Sequence, residues 1–532
     1  MKIYRACKKY LKTQRKLLVC YTITAMVIKL LGIMSPYVMG GFIDGLVTSS
    51  NINYVYRFCL ILGALQLSVM GLGYILTMLY SKMQLLMGSQ YNLDVLSHVQ
   101  KLPLDKLHAM NLAELNQQIN QDTNALIIFC LSILSDFISN FIMLIVLFWL
   151  CATMNLYITI LVAICCILYI LAYNKTKQVK YNVSYDMLQS QNVFFAALFE
   201  QLTYIEFIRT HGIEKMFAKR LRAPYNDLFD KTLKHKKYSY ILDAIDSFLS
   251  VLAQVILYVI GAQQILSGSF SVGDFVAFSV YITMIISSVR YFYRFGSSFQ
   301  EVMVSYKRIE RLISMPEERE GEIFLDKVQD ISICNLNISY GNVNVLGNLN
   351  AHISQGKIIG VVGDNGCGKS TLICAILGLL NDKIQDNAIC MNGYKINEVN
   401  KHHLRHDLIG FVEQDIVVFT GSLRENILLD LTDCEAVQKM HELSRMFSID
   451  YLADKEILPD TLSGGEKQKI AIVRSLVKKT SLIIMDEPTS ALDSGSKENL
   501  LNYLLELRKD HCILIITHDK SIIENCDEII AL

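Results

Sequence analysis

Uncharged apolar stretches dominate the first part of this chain and give way to short apolar runs further on. Charge is absent from 58–81, 137–174, 247–273 and 275–289. A helix needs roughly 20 apolar residues to cross the hydrocarbon core of a bilayer, so 137–174 holds two helices, turning near Thr153-Met154-Asn155. With the apolar run 17–39 ahead of them, the pattern predicts six spanning helices near 17–42, 55–80, 126–151, 155–174, 245–267 and 272–294.

The connections alternate in length. Outside loops are short (152–155, 268–273), whereas the inside connections 82–125 and 175–244 are long. Both long segments have few helix breakers (Pro103, Gly212 and Pro224), so the membrane helices are expected to continue far into the cytosol. Lys2, Arg5, Lys8, Lys9, Lys12, Arg15 and Lys16 all precede the first acid, Asp44, which places the N-terminus on the cytoplasmic side. A signal peptide shares that basic start, but this apolar run is too long for one and no small-residue cleavage site follows it.

The polar, Pro/Gly-bounded stretch Met315-Pro316-Glu317-Glu318-Arg319-Glu320-Gly321 then interrupts the pattern. Beyond it, apolar strands alternate with helical segments as in a soluble α/β domain. The expected organisation is a transmembrane domain over 1–315, a linker over 316–322 and a soluble α/β domain over 323–532. In fold class this is an all-α membrane domain of six helices with long cytoplasmic extensions, followed by an α/β domain. Composition agrees: 52% of residues are hydrophobic and 19% charged. The formal net charge of zero gives no sign of nucleic-acid binding. Fourteen cysteines are scattered without paired ligand spacing, several (Cys130, Cys151, Cys165, Cys166) inside apolar runs, where a thiol acts as a small hydrophobe.

Chemistry enters with Gly363-Asp364-Asn365-Gly366-Cys367-Gly368-Lys369-Ser370-Thr371, which follows the apolar run 358–362 and precedes the helix-forming 372–380. A Gly-rich turn between strand and helix aims backbone N–H groups at phosphate oxygens; Lys369 adds a point charge and the Ser370 hydroxyl can hold Mg²⁺. Leu482-Ile483-Ile484-Met485-Asp486-Glu487 reads as a buried strand ending in two acids. Asp486 is placed to hold Mg²⁺ through water, and Glu487 to polarise an attacking water as general base. Two solvated acids at a strand end are common in isolation, but Pro488-Thr489-Ser490-Ala491-Leu492-Asp493 follows them directly. Leu462-Ser463-Gly464-Gly465-Glu466-Lys467-Gln468 opens the predicted helix 467–479 and makes a second anion site at a helix N-terminus. One ATP does not need two phosphate sites so far apart in one chain. The economical answer is a dimer, in which Ser463, Gly464 and Gly465 of one subunit close over ATP held by the other.

On these motifs the soluble part, 323–532, resembles the nucleotide-binding domain, an α/β P-loop ATPase domain, of an ATP-binding cassette (ABC) transporter. The resemblance implies that Tyr340, in Ile338-Ser339-Tyr340-Gly341, stacks on adenine, a strand-core tyrosine being the plainer reading. It implies that Gln414, in Phe411-Val412-Glu413-Gln414-Asp415, senses Mg²⁺ and touches the membrane domain. It also implies that His518 is the switch histidine for the γ-phosphate, and that Asp493 links two ATP sites. Phe419-Thr420-Gly421-Ser422-Leu423-Arg424-Glu425-Asn426-Ile427 matches the exporter stretch after that glutamine. In the membrane half, Asn111-Leu112-Ala113-Glu114-Leu115 and Glu200-Gln201-Leu202-Thr203-Tyr204-Ile205-Glu206 are similar to loops that carry coupling helices in ABC exporters. Gly273-Asp274-Phe275-Val276-Ala277-Phe278 and Ser305-Tyr306-Lys307-Arg308-Ile309 match the two ends of the sixth helix.

The departures are Glu466 where glutamine is usual, a variant associated with peptide and bacteriocin exporters, and Lys455-Glu456-Ile457-Leu458-Pro459-Asp460-Thr461 before the signature. The chain also ends soon after His518, where relatives add strands and a helix, which bears on domain stability. It opens with no peptidase domain, so no leader cleavage is expected of it.

The resemblance implies ATP and Mg²⁺ as cofactors, alternating access as the mechanism, and the plasma (cell) membrane as the location. A homodimer is the simpler assembly, with a heterodimer containing a second half-transporter as the alternative. The expected activity is ATP-driven export of a peptide, a lipid or an amphipathic drug. The competing readings are a siderophore-like importer on the same fold and an ATP-gated channel or signalling receptor. Lys29, Gln66, Gln254, Gln263, Gln264, Arg290 and Arg294 are pathway candidates as polar groups in spans. For Lys29, snorkelling or packing is an equal alternative, and Arg290 and Arg294 fit cytoplasmic anchoring better.

Overall fold

The computed structural model describes residues 2–48, 52–108, 110, 115–116, 118–340, 343–380, 383–385 and 387–532. The chain divides into two units, 1–97 with 112–314 and 98–111 with 315–532.

The first unit is helical. It contains α1 (Lys2–Thr13), α2 (Arg15–Thr48) and most of α3 (Ile52–Gln100); α4 (Leu104–His108) belongs to the second unit. Next come α5 (Thr123–Ser132) and α6 (Ile138–Met154), joined through a π-helical turn at Ile133–Phe137. They are followed by α7 (Leu156–Thr203), α8 (Ile205–Thr210), α9 (Glu214–Leu266) and α10 (Val272–Ile313). Among the described residues, five helical stretches are long and apolar enough to cross a membrane: Arg15–Val47, Ile52–Gln100, Gln118–Met154, Glu214–Leu266 and Val272–Ile313. The apolar Leu156–Leu168 at the start of α7 coincides with the remaining predicted span, 155–174.

The turn predicted near 153–155 is made by Asn155. Its extended backbone (φ −157°) ends α6, and its side-chain oxygen accepts the Ile158 N–H at 3.1 Å to start α7. Pro103 lies just past α3, and Gly212 adopts φ +62° after α8. Pro224 behaves differently from the expected breaker and sits inside α9. One lost backbone bond in a 53-residue helix leaves long intact turns on either side to hold the axis. The predicted coupling segment 111–115 falls largely outside the described residues. The second, 200–206, contains the break between α7 and α8 at Tyr204.

Small residues bring α2 and α10 together. A Cβ on Gly273 would lie 2.0 Å from the Gly40 carbonyl oxygen, and one on Gly40 would lie 2.6 Å from the Gly273 oxygen, so neither position admits a side chain. Asp44 locks the same contact, accepting from the Ser271 hydroxyl and the Gly273 N–H at 2.7 Å each. Deeper in, the buried Tyr281 hydroxyl donates to the Ile33 carbonyl at 3.0 Å, which satisfies its polar end inside an apolar cluster that includes Leu147, Ile158 and Leu257. None of the most apolar window of α3 is buried, as suits a helix whose solvent is lipid.

The second unit holds two sheets. β1 (Asp330–Tyr340), β2 (Val343–Ser354), β4 (Ile389–Met391) and β5 (Tyr394–Lys395) form an antiparallel sheet in the order β2-β1-β4-β5. β3 (Ile358–Val362), β6 (Ile409–Val412), β7 (Leu482–Asp486), β8 (Cys512–Ile516) and β9 (Glu528–Ala531) form a parallel sheet in the order β6-β7-β8-β3-β9. β7 and β8 are buried at every position, which is why they read as unbroken apolar runs rather than alternating ones. Alternation survives in the packing. Leu482 and Ile484 enter one core with α11 (Lys369–Ile376), whereas Ile483 and Met485 enter the other with the helices that follow. After the short α12 (Lys401–His403), those are α13 (Leu423–Leu428), α14 (Cys434–Met446), α15 (Gly464–Val477), α16 (Ser494–Leu507) and α17 (Lys520–Ile523). Arg474 of α15 is buried and donates to the carbonyls of Asn426 at 2.7 Å and Val417 at 2.9 Å, fixing the 417–427 stretch against α15.

Candidate nucleotide site

The parallel strands β3, β7 and β8 lie side by side, so the loops after their C-terminal ends meet, where ligands bind in open α/β sheets. After β3 the chain turns through 363–368 and enters α11 at Lys369. The turn requires glycine at Gly368: its φ is +106°, and a Cβ there would lie 2.7 Å from Leu346. Lys369 Nζ lies across this turn, donating to the carbonyls of Gly363 at 2.7 Å and Asp364 at 3.1 Å. Cys367 N–H donates to the Asp364 carbonyl at 3.2 Å. Asp364, Asn365 and Gly366 are exposed along the rim, and Thr371 follows on the first turn of α11.

The acids of β7 arrive beside this loop. Ser370 Oγ is 3.4 Å from Asp486 Oδ2, so a hydroxyl and a carboxylate face each other. Burial, and then the neighbouring Glu487, push the Asp486 carboxyl above the usual carboxylate range. These oxygen donors fit a hard divalent cation such as Mg²⁺. Glu487 has a left-handed backbone, φ +49°, unfavourable for a residue with a Cβ and common where side chains are aimed for function. Its N–H is tied to the Ile516 carbonyl at 2.9 Å. His518 completes the group: its Nε2 is 3.4 Å from Lys369 Nζ and 3.9 Å from Glu487 Oε1. Lys369, Ser370, Asp486, Glu487 and His518, far apart in sequence, therefore share one place.

Tyr340 ends β1 and is 41% exposed, which removes the strand-core reading. Its hydroxyl has Thr371 as a side-chain partner, and Lys383 Nζ stands 4.0 Å from the ring centroid. Gln414 follows β6 and is exposed. No hydrogen bond among the described residues joins its side chain to the others.

Ser463 caps α15, which begins at Gly464, earlier than the predicted 467. Ser463 and Glu466 form a reciprocal capping box: the Glu466 carboxylate accepts from the Ser463 N–H at 2.8 Å and its hydroxyl at 2.7 Å. Tyr451 also hydrogen-bonds Glu466, and these contacts, the tyrosine's first, hold its carboxyl below the ordinary value. Gly465 is forced by proximity, since a Cβ there would be 2.8 Å from the Ala491 carbonyl oxygen. Asp493 caps α16, accepting from Ser496 N–H at 2.9 Å, and pairs with Lys469 at 2.7 Å. That lysine, before the serine, keeps its carboxyl far below the usual range.

Sequence reasoning gave Gln468 no role. It is buried, 3% exposed, and its amide donates to the Glu487 carbonyl at 2.8 Å and the Ser490 hydroxyl at 3.2 Å. Its oxygen accepts the Ala491 N–H at 2.7 Å. One side chain thus clamps the turn that carries Glu487. The signal was present in its place after Ser-Gly-Gly, but a contact partner some twenty residues away is invisible to local pattern.

Comparison with known proteins agrees with this geometry. Residues 346–490 match the ABC transporter family model, and residues 18–289 match the ABC transporter transmembrane region. The chain is similar to the ATP-dependent permease MDL1 of Candida albicans, 26% identical over 62% of this chain and 50% of that protein. It is likewise similar to the leukotoxin export ATP-binding protein LtxB of Aggregatibacter actinomycetemcomitans, 31% identical over 51% of this chain and 40% of that one. The chain therefore spans half or less of the length of these curated relatives. A bacterial Atm1-family ABC exporter solved with ATP bound has the same fold, with a TM-score of 0.83 and 18% identity over 98% of this chain and 93% of that one.

Proposed function

Because the chain belongs to the ABC transporter family, with a transmembrane region and an ATP-binding domain in one polypeptide, we propose that it is an ATP-driven exporter of a peptide, a lipid or an amphipathic drug. It acts as a homodimer in the cell membrane by alternating access. The ATP-binding domain is of the ATPase type, and the observation that carries the reading is the convergence of Lys369, Ser370, Asp486, Glu487 and His518. In this reading the 363–371 loop cradles phosphates, Tyr340 stacks on adenine, and Ser370, Gln414 and Asp486 hold Mg²⁺. The ion, when bound, offsets negative charge on the phosphates. Glu487 orients and deprotonates the attacking water, and His518 donates toward the γ-phosphate. Ser463, Gly464, Gly465 and Asp493 of a second copy close the site. The names of the leukotoxin and Atm1-family relatives support outward transport.

Reconstituted vesicles test this. Wild-type protein expels or accumulates a labelled candidate only with hydrolysable ATP, and Glu487→Gln loses turnover while still binding nucleotide. Wild-type turnover in Glu487→Gln would remove the assigned base. Passive flux that persists without hydrolysis would favour a channel.

A further inference from the structure

The π-helical turn Ile133–Phe137 interrupts the third span, and such turns re-aim side chains at functional sites. It presents Asp136, an acid the membrane-span pattern passes over because it sits just before an uncharged stretch. Asp136 lies 18 residues before the outer end of α6 at Met154, roughly 27 Å of helix, and Lys29 of α2 lies 19 before Thr48, roughly 29 Å. Against a hydrocarbon core of about 30 Å, both belong to the inner half of the bundle. A carboxylate there is costly unless something uses it.

Its surroundings are aromatic. The Tyr21 hydroxyl donates to Ser135 Oγ at 2.8 Å, tying α2 to the π-turn. Tyr21, Tyr80 and Tyr291 are all electrostatic neighbours of the Asp136 carboxylate, and Lys29 acts on it from beyond ion-pair distance. Phe137 meets Phe292 edge-on at 5.2 Å, and Phe292 meets Tyr291 at 5.6 Å. Phenol and phenyl faces carry negative quadrupoles, so a positive charge with an apolar body drawn toward this carboxylate would also be favoured by the rings on the neighbouring helices.

We propose that Asp136 is the anionic floor of a site for a lipophilic monovalent organic cation, walled by Tyr21, Tyr80, Tyr291 and Phe292. Lys29, at similar depth, stands against a second positive charge on the same ligand. The proposal deepens the export reading and takes its purpose from it, but binding is measurable without ATP, so the two fail separately.

The test uses the full-length protein in neutral-lipid nanodiscs without nucleotide. Equilibrium binding is measured for tetraphenylphosphonium and tetraphenylborate, ions of nearly equal shape and opposite charge. The phosphonium is expected to saturate and the borate is not. Asp136→Asn weakens phosphonium binding roughly tenfold or more. Tyr291→Leu, which keeps the carboxylate and removes a ring, weakens it about threefold to thirtyfold. Preference for the borate, uptake of both ions in proportion to lipid alone, or unchanged phosphonium affinity in Asp136→Asn would each overturn the site. If Asp136→Asn does not fold, the wild-type charge preference and Tyr291→Leu still decide. Intact ATP turnover and transport with no charge preference would sink this site alone. Saturable cation binding without ATP turnover would sink the export reading and leave the site standing.

Discussion

Replacing Gln468 by Met keeps the volume of a buried side chain and removes every polar contact it makes. The structure assigns it three: the Glu487 carbonyl at 2.8 Å, the Ser490 hydroxyl at 3.2 Å and the Ala491 N–H at 2.7 Å. A hydrogen bond contributes about 0.5–1.5 kcal/mol net, and a buried partner left unsatisfied costs more. The turn is partly solvated, so the expected loss of stability is about 1–3 kcal/mol. The effect on catalysis should be larger than that on folding. Glu487 is held at φ +49° by its N–H bond to Ile516 and by this clamp, and relaxing an unfavourable backbone moves the carboxylate. A displacement of about 1 Å can cost roughly 100-fold in rate. Steady-state ATP turnover of the reconstituted protein should show kcat down by roughly 10- to 100-fold. KM for ATP should change little, because Lys369 and its loop bonds to Gly363 and Asp364 are untouched. A cooperatively folded Gln468→Met protein with kcat within a factor of about two of wild type would refute the reasoning.

Three further outcomes follow from charged groups at the site. Glu466→Gln preserves the capping box, since Gln also serves at N3, but removes a negative charge at the helix end that the proposed function sets against phosphate; KM for ATP should fall roughly three- to tenfold, and an unchanged or higher KM would contradict that. The raised pKa of Asp486, caused first by burial and then by Glu487, means that its proton persists to higher pH than on an exposed carboxylate. Because cation binding needs the ionised form, the Mg²⁺ required for half-maximal turnover should rise as pH falls through that raised value, where ordinary carboxylates are still charged. The neutral form is the one the fold favours, so Asp486→Asn should keep or raise thermal stability while abolishing the Mg²⁺ response, and a marked loss of stability would reverse this sign.

Much of this was legible in the sequence because its causes are local. Uncharged length marked the spans, the Gly-rich turn marked the entry to α11, and the unbroken apolar run of β7 marked a buried strand of an α/β domain. What escaped depended on distance along the chain. Gln468 gains its meaning from a turn beyond β7, and Asp136 from rings on three other helices. Pro224 was overrated as a breaker because a very long helix absorbs one missing bond. The close contact of α2 with α10 rests on Gly40 and Gly273, residues that carry no apolar signal.

The central claim is that two copies close over shared nucleotide, each offering its Ser463–Gly465 turn to the other's phosphate loop. The direct measurement is disulfide trapping between the native Cys367 and an introduced Ser463→Cys, in a Glu487→Gln background, with the linked peptides identified by mass spectrometry. The account predicts a Cys367–Ser463→Cys cross-link between two chains that forms with Mg-ATP and not without it. A cross-link confined to one chain, or none under saturating Mg-ATP in protein that binds nucleotide, would contradict it.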